Sequence, residues 1–414
     1  ATLGPAATLG SASTLGSAST LGSASTLGSA STLGPAATLV GGGDPLLTSG
    51  DLDAAAAALA GAGIRSLGAL AVDDGRYETA PYPAGWTWDD FAYDYAAPVS
   101  ALTVDENVIH IEFGVAGGSV VPLSGSAPAA DSLLACGGDP APSTGSTGRA
   151  GVARVGAAGS EDSLDTLTVT PDCATLTGSL PAGGTSSLDV AVRSAGATAF
   201  ERLAQALRAH AVAFPAGSGP VVTHAGAPGP GTTILWSHDS APYASWLGPR
   251  FWIPSDNLFA ELLLRELAYA AGGRPGTTAA GLAFERGWLA SIGVDPATTT
   301  LADGCGMSQY DRITPRDLVA VLQHDWQGPN RQLVLDSLPI GGARGTIEGI
   351  AGTSAAGRTF AKTGSMMHVR GLAGFLASKR HGAVTFAFNV DDWIGGYPAL
   401  AAFRAQVLSR VVDD

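Results

Sequence analysis

Apolar and polar positions alternate with two different periods along the chain, and the period changes where the elements change. Leu258, Leu262, Leu263 and Leu267 recur at helical spacing and predict a helix over 257–271, stopped by Gly272-Gly273. An Ala-rich run over 51–64 predicts a helix opened by Ser49 or Asp51, and a third helix is expected at about 197–212. Two-residue alternation over 66–72 and 108–113 predicts strands. Three further β-type runs, 358–366, 371–378 and 383–390, are separated by short turns and predict an antiparallel meander. Leu400, Phe403, Val407 and Val411 then give one apolar face to a closing helix. A helix packed on an antiparallel sheet is an α+β arrangement.

Two stretches break this texture. Residues 1–39 repeat a six-residue unit centred on Ser-Ala-Ser-Thr-Leu-Gly, with leucine at Leu3, Leu9, Leu15, Leu21, Leu27, Leu33 and Leu39. The pattern is similar to a hexapeptide β-helix, but seven units make too few coils to bury a solenoid core. The expectation is a low-complexity segment, mobile or loosely extended and without chemistry of its own. Residues 115–185, rich in Gly, Ser, Ala and Pro, read as short strands on long turns. The expected division is a repeat over 1–39, a mostly β insertion over 40–195 and a second domain over 196–414.

Composition narrows the class. The 414 residues are 45% hydrophobic and 14% charged, as in a globular chain. The formal charge of −14 argues against nucleic acid or an anionic membrane as partner. No apolar run approaches the roughly 20 residues of a membrane span. The seven histidines are scattered and imply no metal or other cofactor. Asp89, Asp90 and Asp94 read as a solvated face, and Trp86, Trp88, Phe91, Tyr93 and Tyr95 as a packing cluster. Gly41-Gly42-Gly43 lacks the Lys-Ser/Thr of a phosphate loop. Cys136 and Cys173 fall in one middle region, where a disulfide and two free thiols are equally open readings, and Cys305 is left over.

Chemistry concentrates in two tripeptides, Ser255-Asp256-Asn257 and Lys362-Thr363-Gly364. The first falls at a helix start and the second on a strand. They are two of three signatures of serine acyl enzymes that bind penicillin, the third being Ser-x-x-Lys. That third motif is absent, because the only lysines are Lys362 and Lys379, preceded at three residues by Thr359 and Leu376. The remaining groups suit the other roles of acyl transfer. Lys362 and Thr363 can hold a terminal carboxylate, and Gly364 lets substrate backbone approach. The Ser365 backbone N–H can serve an oxyanion, Ser255 can relay a proton, and Asn257 can hold a substrate amide and the base.

The surrounding stretches resemble the class C low-molecular-mass penicillin-binding proteins, D-alanyl-D-alanine carboxypeptidases and endopeptidases of peptidoglycan. They are Val40-Gly-Gly-Gly-Asp-Pro45, Ala97-Pro-Val-Ser-Ala-Leu102, Asp105-Glu-Asn107, Ser255–Leu264, Asp303-Gly-Cys-Gly-Met-Ser308, Thr314-Pro-Arg316, Ala361–Ser365 and Gly371-Leu-Ala-Gly-Phe375. The resemblance implies a transpeptidase/β-lactamase-like catalytic domain split by a large insertion. It also implies an exported, periplasmic or cell-wall-associated protein that acts on stem peptides ending in D-Ala-D-Ala and is inhibited by β-lactams. Ser255, Asn257 and Lys362 are then the expected catalytic residues, and Lys362, Thr363, Gly364 and Ser365 the expected substrate-binding ones. Cys305 stands where the family usually has serine, and no catalytic thiol is expected there. The repeat stands just downstream of where the family carries its catalytic helix, so the nucleophile is expected a few residues before Ala1, with the chain a fragment. The competing reading is a non-catalytic relative that binds peptidoglycan peptides.

Overall fold

In the computed structural model, residues 18–24, 35–116, 119–122, 166–170, 173–177, 184–215, 219–227, 232–366, 368–392 and 397–414 are described. Strands β1 (Ala18–Ala24), β2 (Ala36–Val40) and β3 (Ala69–Asp73) begin the chain. A middle group follows: β4 (Val108–Ala116), β5 (Ser119–Pro122), β6 (Thr166–Thr170), β7 (Cys173–Thr177) and β8 (Thr185–Ala191). The last five are β9 (Val222–Thr223), β10 (Thr232–Asp239), β11 (Thr359–Met366), β12 (Val369–Ser378) and β13 (Gly382–Val390).

One five-stranded sheet runs in the order β10-β1-β2-β3-β9. Its strand β1 lies inside the hexapeptide repeat, antiparallel to both neighbours, so this part of the repeat is an ordered strand and not a loose segment. Backbone pairing on both sides supplies the order, because β1 pairs with β10 over 18–24 and with β2 over 20–24. The sheet draws strands from all three stretches delimited by the composition. Its helices are Ser49–Gly61 and Ala195–Ala209, which bury Leu52, Leu59, Phe200, Leu203 and Leu207 with Leu39, Leu70 and Val72 of the sheet. The first helix begins at Ser49, but the residue that opens it lies one before the expected Ser49 or Asp51. Thr48 is its cap, and the side chains of Thr48 and Asp51 each bond the other's backbone N–H.

The expected meander is present as the sheet β11-β12-β13, antiparallel throughout and without a register shift. The helix Tyr397–Asp413 closes over it, burying Leu408 and Val412 with Ile347, Leu372 and Leu376. Its buried face is Leu400, Arg404, Leu408 and Val412, so the expected face is turned by about one residue. Phe403 is left 50% exposed and Val407 38% exposed. Between the two sheets the helix Asn257–Ala270 packs Leu258 and Leu262 against Tyr77, Val99 and Ala101. Leu267 does not join the expected stripe, being 40% exposed, while Glu261, Arg265 and Glu266 are buried beside it. Arg265 reaches Thr278 Oγ1 and the carbonyl of Ala80, and Glu266 pairs with Arg76 and accepts from the Tyr77 hydroxyl, while Glu261 Oε2 and Arg265 Nη1 are left without partners.

A smaller sheet, β5-β4-β8, and the hairpin β6–β7 fit the expected short strands of the middle stretch. Cys136 lies outside the described residues, and with it the proposed pairing to Cys173. No helix among the described residues is long and apolar enough to cross a membrane. The glycine cluster after β2 is a close crossing. A side chain at Gly41 would strike the Ala101 carbonyl, and Gly43, at φ +82°, lies under the Tyr77 ring.

Candidate active site

Ser255 stands at the end of a wide π-helical turn, Leu247–Trp252, and the backbone N–H groups of both Ser255 and Asp256 donate to the Phe251 carbonyl. Its backbone is left-handed, φ +70°, a strained region for a residue with a side chain. The strain is held because the next residue caps a helix. Asp256 Oδ1 accepts from Phe259 N at 3.2 Å and starts the helix Asn257–Ala270. Asn257 is thereby fixed at the first helical position, where its amide donates to the Tyr95 carbonyl at 2.9 Å and touches Met307 Sδ at 3.5 Å.

Lys362 approaches from the other sheet. Its Nζ donates to Ser255 Oγ at 2.5 Å and to the Thr363 carbonyl at 2.9 Å, joining motifs 107 residues apart. Among the described residues no carboxylate lies within ion-pair distance of it. Burial without a counter-charge pushes the ammonium down to about 8 from its ordinary value. The group remains mostly charged at neutral pH and unneutralised, which suits it to receive an anion.

β11 is an edge strand, and its outer side is only partly covered. Gly341 N donates to the Thr359 carbonyl and Ala361 N to the Pro339 carbonyl. Outward N–H groups recur every second residue on a regular strand, so those of Thr363 and Ser365 also face outward, beyond the covered part. Thr363 Oγ1 is held by Thr346 Oγ1 at 2.7 Å. A side chain at Gly364 would come no nearer than 4.0 Å to its surroundings, so this glycine is not required by packing within the chain.

Beside Ser255 and Asn257 opens a cleft of about 720 Å³. Its wall includes Asp94, Tyr95, Asp105, Glu106 and Asp256 from the acidic side and Arg202 from the basic side. Three consecutive left-handed residues, Asp105, Glu106 and Asn107, shape that wall. They are braced from within: Arg202 pairs with Asp105 and bonds the carbonyls of Val104 and Val108, Arg250 pairs with Glu106, and Asn107 donates to the Pro98 carbonyl. Burial, with the charges of Glu106 and Asp94, raises the Asp256 carboxyl to about 6.

Ser255, Asn257, Lys362, Thr363, Gly364 and Ser365 thus gather around one edge of β11 and one helix start. Thr346, Met307 and the 105–107 wall act on the same groups. Sequence reading assigned the wall and Met307 to matching stretches without a role, and nothing in the sequence marks Thr346. Tyr95 of the aromatic cluster lines the cleft, Trp88 is 63% exposed, and Trp86 is buried with its Nε1 donating to Asp303, so the cluster is only partly core. Asp94 is exposed, as expected of a solvated face, and that face is part of the cleft wall. The Cys305 thiol is pushed well up by burial and by the charges of Glu261 and Asp303, which leaves it a poor nucleophile.

Residues 17–408 match the model of the D-Ala-D-Ala carboxypeptidase 3 (S13) family. The chain is 32% identical over 391 residues to a D-alanyl-D-alanine carboxypeptidase of Actinomadura sp. (strain R39), covering 91% of this chain and 69% of the relative. It is 27% identical over 366 residues to the D-alanyl-D-alanine carboxypeptidase DacB of Haemophilus influenzae, covering 86% and 71%. The crystal structure of penicillin binding protein 4 from Haemophilus influenzae superposes with a TM-score of 0.77 at 24% identity, covering 97% of this chain and 87% of that one. That likeness establishes the transpeptidase/β-lactamase-like fold. With the family model spanning nearly the whole chain, the protein belongs to the D-Ala-D-Ala carboxypeptidase 3 (S13) family, the class C low-molecular-mass penicillin-binding proteins.

Proposed function

We propose that this chain is the substrate-holding and proton-relaying part of a serine-type peptidoglycan D-alanyl-D-alanine carboxypeptidase or endopeptidase. The observation that carries the reading is the contact of Lys362 Nζ with Ser255 Oγ, the serine that also lines the cleft. In this reading the terminal carboxylate of a stem peptide binds Lys362 and the Thr363 hydroxyl. The peptide backbone lies along the open edge of β11, over Gly364, as an added strand. The scissile carbonyl oxygen takes the outward N–H of Ser365, which stabilises negative charge as it develops there. Ser255 passes a proton from Lys362 toward the leaving amine, and Asn257 holds the penultimate amide. The attacking serine belongs to a Ser-x-x-Lys segment that these 414 residues do not contain, so the chain itself binds but does not form the acyl-enzyme. No cofactor enters the scheme, β-lactams occupy the same site, and the working location is the periplasm or cell wall, where stem peptides are.

The absence of Ser-x-x-Lys favours one second reading, a relative that only binds peptidoglycan peptides. Intact-mass measurement after incubation with benzylpenicillin separates both from a self-sufficient enzyme. No adduct is expected, and a stoichiometric adduct on this chain overturns the assignment of roles. Calorimetric titration with a peptide ending in D-Ala-D-Ala tests the binding site directly: saturable binding lost in Lys362→Met supports it, and binding that survives this change refutes it.

A further inference from the structure

One turn beyond Asn257 on the same helix, Glu261 is completely buried. Its Oε1 accepts the backbone N–H groups of Gly304 at 2.7 Å and Cys305 at 2.9 Å, whereas its Oε2 has no partner. A buried carboxylate oxygen without a partner is costly, because its lost hydration is not replaced. Asp303, only 3% exposed, stands beside it with Oδ2 at 3.6 Å from Cys305 Sγ. One ligand atom from each of Glu261, Asp303 and Cys305 lies within 4.8 Å of the others. Cys305 is only partly buried, the most accessible of the three.

We propose that Glu261, Asp303 and Cys305 form a site for a divalent cation of intermediate softness, of the Zn2+ class, which ties the second turn of the helix Asn257–Ala270 to the loop 303–308. Two features of the donor set select that class. A thiolate disfavours Mg2+ and Ca2+, which take oxygen ligands, and three protein ligands with water as the fourth match a four-coordinate ion. For metal–sulfur and metal–oxygen bonds of about 2.3 and 2.0 Å at tetrahedral angles, sulfur and oxygen lie about 3.5 Å apart, close to the 3.6 Å between Cys305 Sγ and Asp303 Oδ2. The ion gives Glu261 Oε2 its missing partner. Cys305 loses its thiol proton to bulk water as the bond forms. Met307, two residues on, touches the Asn257 amide, so the ion also steadies a residue of the peptide site.

The rival occupant of the pocket is a water molecule bridging Glu261 Oε2 to Arg265 Nη1, which is likewise buried without a partner. The two are separated by titrating the chelator-treated protein with Zn2+ in a calorimeter and with Co2+ in a spectrophotometer. The expected result is one equivalent bound, a near-ultraviolet thiolate-to-cobalt charge-transfer band, and protection of Cys305 from alkylation. Cys305→Ser should abolish the band and weaken Zn2+ binding at least tenfold while melting at nearly the same temperature as the parent without metal. Glu261→Gln should weaken binding similarly. Absence of a band with unchanged alkylation overturns the proposal, and so does undiminished Zn2+ binding by Cys305→Ser.

Discussion

The sheet carrying Lys362 and the sheet carrying the repeat are both held by backbone pairing, unbroken in the first and shifted once between Leu21 and Gly22 in the second, yet they specify their register in different ways. Along β11 no two neighbouring positions are interchangeable. Thr359 and Ala361 are buried, Lys362 meets Ser255, and Thr363 meets Thr346. A slip of one residue would reverse every side chain and take Lys362 away from its partner. In β1 the segment Ala-Ser-Thr-Leu-Gly-Ser-Ala at 18–24 recurs at 12–18 and 24–30. Its period of six is even, so a shift by one unit restores every residue type to the same face. Backbone hydrogen bonds suffice to place a strand in a sheet, but only a non-repeating sequence can place a given functional group. The Lys362–Ser255 contact accordingly sits on β11.

The contrast can be tested from its strongest expected effect to its weakest. Leu372→Ala, in the core under β11, should cost about 2–5 kcal/mol by denaturant unfolding. A smaller loss would mean that side-chain packing does not set the β11 sheet. Next is Lys362→Met, which removes a charge-assisted bond worth about 1.5–3 kcal/mol and should lower D-Ala-D-Ala peptide affinity roughly ten- to a hundredfold. Calorimetry on a variant with unchanged melting checks it.

The pH response is third. With Lys362 at about 8, raising the pH from 7 to 9 should lower peptide affinity about tenfold as the ammonium is lost. The fold responds with the opposite sign. The lysine is depressed in the folded state, so between about 8 and its unfolded value the unfolded chain binds more protons, and the contribution of this group to stability rises with pH. Affinity that stays flat across this range would remove Lys362 from carboxylate recognition. The weakest effect is expected from deleting residues 25–30, one repeat unit. Loop-closure entropy changes by only a few tenths of a kcal/mol for such a change, so melting should hardly move. A large loss would show that the repeat has a unique register after all.

Much of the site was legible in the sequence because its groups come as short contiguous motifs whose order and setting carry meaning. Ser255-Asp256-Asn257 announces a helix start through its capping residue, and Lys362-Thr363-Gly364 lies in an alternating run. The 105–107 wall was visible only as a matching stretch, since its left-handed backbone depends on Arg202 and Arg250, far along the chain. Thr346 had no signal at all. The closing helix was legible as a helix but not in its facing, because Phe403 and Arg404 exchanged the expected exposed and buried positions. The Arg404 guanidinium is itself buried, with Nε and Nη2 lacking hydrogen-bond partners, and lies 5.5 Å from the Phe388 ring centre.

By itself the sequence determined the α+β class, the meander, most helices and the two tripeptides that meet at the candidate site, since each depends on local periodicity, capping or a motif a few residues long. Only the tertiary structure decided that a repeat segment fills an interior strand, that Lys362 lies 2.5 Å from Ser255, and that Glu261, Asp303 and Cys305 converge. Those facts depend on which distant backbone and side-chain groups satisfy one another once water is excluded, and local sequence does not record such pairings.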